Sequence, residues 1–277
     1  MSTSRKFQSN KNMQVDLQCQ LFYDNQINDG FKPNSRLKMS KYIELLLKID
    51  YEHWNKINPY FSEVALSASM KRGLKSIQNQ GFLIDFQPSS AADYVIAIDS
   101  LTDCFDENNP DYEMLARVFD LIQAWGGQTG RVPYVVTKSR FKYDEWKTEY
   151  LNGVRQARLG NPVKALSLWL KISGLGASFA PKHLRFWTKT YPVLDTRISL
   201  LVSGGKKLLT KPEYYGDFLD LIKPLTTKFC ANNLEVEKAL FAFSQNFFIN
   251  DRLEFKADNL HDEKDFHLAE QLTHLEL

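Results

Sequence analysis

The chain has 277 residues, 43% hydrophobic and 25% charged, with a formal net charge of +2, which supplies a core for one large domain or two smaller ones. No run approaches 18 uninterrupted apolar residues, and the polar opening MSTSRKFQSNKN lacks the apolar core of a secretion signal, so a soluble, cytoplasmic protein without a membrane span is expected. The three cysteines, Cys19, Cys104 and Cys230, are odd in number and far apart, which suits a reducing compartment and gives no pair at metal-binding spacing.

In chain order the apolar period is mostly helical. MSKYIELLLKI carries Ser40 in an N-cap position and apolar residues at Tyr42, Ile43, Leu46 and Leu47. Helices are expected next over 61–78 and 90–104. DYEMLARVFDLIQAW then repeats at Met114, Leu115, Val118, Phe119 and Ile122, and further helices are expected over 143–158, 161–171, 180–189, 195–203, 213–229 and 233–248. Strand-like alternation is confined to FLIDF and PYVVT. The fold class is therefore mainly α. Short breaks at DENNPD, WGGQTGRVP, LGNP and SGGKK join neighbouring helices, and a boundary between 80 and 130 divides an N-terminal region, 1–105, from a C-terminal helical domain, 106–277.

The small net charge hides a segregation. Residues 91–120 hold eight acids against one base, residues 131–190 twelve bases against three acids, and the tail from 251 eight acids against three bases. A basic stretch of this kind suits a polyanion, or else forms a solvated face paired with the acidic segments.

The basic stretch contains KISGLGASFAPKHLRFWTKTYPVLDTRISLL, residues 171–201. Gly174 and Gly176 allow the chain to reverse between two helices, about 161–189 in all. The first amides of the second helix, around Gly176, Ala177 and Ser178, point outward as an anion site that Lys171, Lys182 and Arg185 flank; the alternative is a plain helix hairpin closing a packed corner. Pro192 then favours extended backbone, Val193 and Leu194 read as buried, and Asp195 falls where an N-cap would, ahead of TRISLLV with its Arg197.

Taken together, Gly174, Gly176, the helix through Lys182, Leu184 and Arg185, and PVLDTRI resemble the helix-hairpin-helix DNA glycosylase superfamily, and within it the 8-oxoguanine DNA glycosylase-like proteins of bacteria. The resemblance is specific over about thirty residues, extends weakly to QAWGG and EVEKALFAFSQ, and does not reach the first ninety. It implies a helical glycosylase-like fold and double-stranded DNA with a modified base as partner. It also implies a hairpin that grips the DNA backbone through Gly174, Gly176, Ala177, Ser178, Lys171, Arg185 and Arg197, and an aspartate, Asp195, that drives cleavage of the base–sugar bond. A fixed carboxylate suits that chemistry because positive charge develops on the sugar. The everted base needs aromatic walls, for which Trp125, Phe179 and Trp187 are candidates, with Phe186 beside them.

One position departs from the family pattern. Bifunctional members carry a nucleophilic lysine two residues after the second hairpin glycine, where this chain has Ser178. Lys182, one turn further along, is the candidate to replace it, and monofunctional hydrolysis ranks above lyase chemistry. The implied role is repair, or defence against phage with modified DNA. The alternative is a non-catalytic helix-hairpin-helix DNA-binding module. SGGKKL lacks phosphate-loop spacing, Gly174-Leu175-Gly176 lacks a third glycine, and His261, His267 and His274 lie six and seven residues apart, so no cofactor and no metal are expected. His183 reads as core or groove lining, and the protein is expected to be a monomer.

Overall fold

Side-chain caps set many of the helix starts. In the computed structural model, which describes residues 40–49, 54, 66, 68–126, 143–172, 175–203 and 211–247, α1 (Lys41–Leu46) begins at Ser40. The Ser40 hydroxyl accepts from the Ile43 amide at 3.3 Å and donates to the Leu201 carbonyl at 2.7 Å. α2 (Ala68–Gln78) is followed by α3 (Ala91–Cys104), which opens on a capping box: the Asp93 amide donates to the Ser90 hydroxyl at 3.0 Å, and the Ser90 amide to the Asp93 carboxylate at 3.1 Å. Asp111 caps α4 (Tyr112–Trp125) by accepting from the Glu113 and Met114 amides. Then come α5 (Tyr143–Arg158), α6 (Pro162–Trp169), α7 (Ala180–Thr188), α8 (Thr196–Ser203), α9 (Glu213–Lys228) and α10 (Asn233–Phe247). Asn232 and Glu235 repeat the box at the start of α10.

The mainly α expectation holds, with no strand among the described residues. FLIDF is a turn. Leu83 lies at a left-handed φ of 53°, and the Gln78 side-chain amide donates to the Leu83 and Phe86 carbonyls at 3.1 and 2.9 Å, so a side chain takes the place of a ladder partner. PYVVT lies outside the described residues. No helix among them is long and apolar enough to cross a membrane. Cys104 is an exposed free thiol, whereas Cys230 is disulfide-bonded, a pairing that the reading of widely spaced, reduced cysteines did not include.

The chain forms two compact units, residues 1–58, 200–206 and 217–277 in one and 59–199 and 207–216 in the other, the division falling inside α8 and inside α9. In the first, Ile43, Leu46, Leu201, Phe218, Ile222 and Phe243 are buried, Trp54 stacks on Phe229 at 4.2 Å, and the Lys228 ammonium donates to the Leu47 carbonyl. The second is built around α4, whose residues from Leu115 to Ala124 are buried save Arg117, and which touches α2, α3, α5 and α7. That burial all round explains why α4 has an apolar sequence wider than one stripe.

Acidic and basic segments meet inside the second unit. The Arg158 guanidinium donates to the Thr102 and Phe105 carbonyls at 2.5 and 2.9 Å and pairs with the Glu107 carboxylate, so it closes the end of α3. Arg155 donates to the Glu107 carbonyl at 2.7 Å, Arg185 pairs with Asp99 at 3.3 Å, and Lys189 pairs with Asp103. Much of the positive charge described between 143 and 190 is thus matched within the fold.

Candidate functional site

The hairpin region starts where α6 ends. The Leu175 amide donates to the Ile172 carbonyl at 3.0 Å, and the Phe179 and Ala180 amides both donate to the Gly176 carbonyl, so a turn over 177–179 precedes α7. Among the described residues no carbonyl receives the amides of Gly176, Ala177 or Ser178. Gly174 lies outside the described residues. Gly176 is not among the glycines at left-handed φ, which among the described residues are Gly81 and Gly160, and a Cβ there would meet nothing within 4 Å. The conformational freedom expected of Gly176 is therefore not used at that position.

α7 presents two differently employed faces. Phe179, Lys182 and Phe186, at i, i+3 and i+7, face the end of α4: a Cβ on Gly126 would lie 2.6 Å from the Phe179 ring and 3.0 Å from Lys182 Cδ, and Trp125 meets Phe186 edge-on at 5.0 Å. Gly126 is thus small because the side chains of Phe179, just before α7, and of Lys182 on it occupy its place. Lys182 is only 9% exposed. Its ammonium donates to the Ser178 carbonyl at 2.8 Å and lies 4.8 Å from the Phe179 ring centroid.

The other face holds His183 and Trp187. His183 is fully buried, with Nδ1 2.5 Å from the Tyr150 hydroxyl and Nε2 3.1 Å from the Gln123 amide. Trp187 Nε1 donates to the same hydroxyl at 2.8 Å. That donation occupies one Tyr150 lone pair; with the Tyr150 proton assigned to the bond to His183 Nδ1, the ring proton is assigned to Nε2, facing Gln123. The Gln123 amide oxygen, otherwise without a partner, belongs on that side and completes the chain of bonds. Burial holds the imidazole well below its usual pKa, with the neighbouring Lys182 charge adding to the effect, so His183 is a neutral core residue.

Past α7 the chain is redirected by Lys189, the left-handed C-cap at φ 55°, and by Thr188, whose hydroxyl accepts from the Thr190 and Tyr191 amides. Pro192, Val193 and Leu194 follow as a buried strap, and Asp195 emerges half-exposed. One carboxylate oxygen, Oδ1, accepts from the Ile198 amide at 2.9 Å, and the Asp195 carbonyl from the Ser199 amide at 2.8 Å, which makes Asp195 the N-cap of α8. The Tyr215 hydroxyl donates to the Pro192 carbonyl at 2.6 Å, and Tyr215, Leu194, Ala177 and Pro181 line a small apolar recess with Lys211 among its walls.

The remaining candidates are distributed around these elements. Lys171 is exposed and pairs with Glu149 at 3.7 Å, a contact that exchanges readily with solvent or another anion. Arg185, 11% exposed, is held by Asp99 and packs its guanidinium 4.2 Å from the Phe186 ring centroid. Arg197 is half-buried in the first turn of α8. Trp187 is buried, with Phe105 at 5.2 Å and the Arg158 guanidinium at 5.4 Å against its rings. Of the aromatic walls, the structure brings Trp125 and Phe179 to the Lys182 seam and sets Trp187 on the opposite face. Tyr215 and Gly126 were not singled out by sequence reasoning; Gly126 fell within the break WGGQTGRVP and the weak extension of the resemblance to QAWGG, and no local pattern marks Tyr215.

No protein-family model, no curated protein and no solved structure matches the chain.

Proposed function

We propose that the protein is a DNA glycosylase that everts a modified base from double-stranded DNA and hydrolyses its N-glycosidic bond, leaving an abasic site. The observation that carries this reading is the presentation of Asp195. A buried strap delivers it to the start of α8, the Ile198 amide fixes Oδ1, and the half-exposed side chain keeps Oδ2 without a hydrogen bond among the described residues. A carboxylate oriented through one oxygen, with no hydrogen bond on the other among the described residues, suits stabilisation of an oxocarbenium-like sugar and orientation of a water. The amides of Gly176, Ala177 and Ser178 support a phosphate contact ahead of α7, and Lys171 lies exposed just before that turn.

Lys182 fits lyase chemistry less well than hydrolysis. Its ammonium is spent on the Ser178 carbonyl and a ring face, and its side chain is nearly enclosed. The reading is tested by incubating the protein with duplexes carrying 8-oxoguanine or 5-hydroxymethylcytosine, and with genomic DNAs of differing modification, and measuring free bases by mass spectrometry. Base release lost in Asp195→Asn supports it. Salt-sensitive DNA binding with no base released from any of these DNAs favours a non-catalytic binding module instead.

A further inference from the structure

We infer that Tyr215 is a positioning residue for Asp195, acting through the strap that joins them; this rests on the glycosylase reading above. Among the described residues the strap has little backbone bonding of its own. Pro192 has no N–H, and among the described residues no carbonyl accepts from the amides of Val193, Leu194 or Asp195. Its first carbonyl is held by the Tyr215 hydroxyl at 2.6 Å, and its last residue is held by the Ile198 and Ser199 amides. Two residues, Val193 and Leu194, separate these two anchors, a Cα span of at most about 10 Å. Between them, among the described residues, side-chain packing of the buried Val193 and Leu194 fixes the path.

The anchor itself is stiff. Tyr215 is 2% exposed, sits in the first turn of α9, and meets the Tyr191 ring edge-on at 6.4 Å. Tyr191 in turn donates to the Gly160 carbonyl at 3.2 Å, so the residue before the strap is tied down as well. Removing the Tyr215 oxygen frees the Pro192 carbonyl without emptying the ring's place. The strap then pivots about Val193 and Leu194, and the carboxylate moves relative to the sugar it serves. Displacements of about 1 Å in catalytic geometry lower rates on the order of 100-fold.

Tyr215→Phe tests this with two readouts on the full-length protein. Single-turnover release from whichever of the 8-oxoguanine or 5-hydroxymethylcytosine duplexes the wild type cleaves is expected to fall by about tenfold or more, with DNA affinity within about twofold of wild type. Amide hydrogen exchange at Ile198, whose N–H the Asp195 carboxylate holds, is expected to speed up by about tenfold, while exchange in α4 and α5 stays unchanged. Unchanged release and unchanged Ile198 exchange overturn the positioning role and leave the glycosylase reading intact. Equal loss of rate and affinity, or faster exchange throughout α4 and α5, also overturns it, because Tyr215 then serves the fold at large. If the wild type releases no base from any duplex the glycosylase reading fails, and the catalytic part of the inference fails with it, whatever the exchange shows.

Discussion

The indole of Trp169 occupies the place of a side chain on Gly153: a Cβ built there would lie 2.1 Å from Nε1, which donates to the Tyr150 carbonyl at 3.0 Å. α5 and α6 are therefore packed at a distance that only glycine permits. An alanine in the middle of a helix ordinarily stabilises by about 0.5–1 kcal/mol. Here that gain is outweighed by overpacking and by loss of a buried hydrogen bond, each about 1–3 kcal/mol. Gly153→Ala is expected to lower stability by about 2 kcal/mol or more in urea unfolding. Gly216→Ala, also within a helix but with nothing within 4 Å of its Cβ, is expected to raise it by about 0.5 kcal/mol.

Arg158 allows a second stability test. One guanidinium reaches two carbonyls at the end of α3 and the Glu107 carboxylate, and its side chain is about one quarter exposed. A lysine carries the charge but not the planar fork. Arg158→Lys is expected to cost about 1–3 kcal/mol, because a carbonyl is left without its donor. Arg117→Lys, whose ion pair with Asp85 is exposed, is expected to change stability by less than about 0.5 kcal/mol.

His183 should govern the onset of acid destabilisation. Its folded pKa is depressed by burial, so the unfolded chain binds a proton that the folded chain refuses. The stability this contributes is complete above the unfolded value of about 6.5 and is lost as pH falls towards the folded pKa, at about 1.4 kcal/mol per pH unit. Asp85 and Asp93, whose carboxyls are lowered by Arg117 and by Ser89 and Ser90, act only at lower pH, near the carboxylate range. Urea midpoints measured from pH 7.5 to 5 are therefore expected to fall in the wild type. His183→Gln, which does not titrate, is expected to start from lower stability and to show a flatter profile over that window.

The helices were legible because their signals are local. Ser40, Ser90, Asp111, Asp195 and Asn232 stand next to the amides they cap, and the period of DYEMLARVFDLIQAW is contained in one helix. What decides the candidate site is not local. His183 meets residues 33 and 60 positions away, Tyr215 reaches back 23 residues to Pro192, and Gly126 yields its space to Phe179. A single sequence tells which face of α7 is apolar, not which side chain on another helix receives it. The Gly-Leu-Gly spacing likewise marks a turn without saying that Gly176 would sit in open space at an ordinary φ. The charge pattern told that acids and bases could meet, and Arg185 with Asp99 shows one place where they do.

Asp195 carries two roles that substitution can separate. As an N-cap it accepts from the Ile198 amide through Oδ1, and an asparagine side-chain oxygen does the same almost as well. Asp195→Asn is therefore expected to keep stability within about 0.5 kcal/mol of wild type, while Asp195→Ala loses about 1 kcal/mol. A cap with no chemistry would make base release follow that stability order. A reacting carboxylate makes the two variants equally inactive, because neither offers a negative charge to the sugar or a base to the water. Thermal melts and single-turnover assays run side by side on the three proteins distinguish these patterns: an asparagine variant as stable as wild type, binding DNA as tightly, yet releasing base at least about 100-fold more slowly, assigns the charge itself to the reaction.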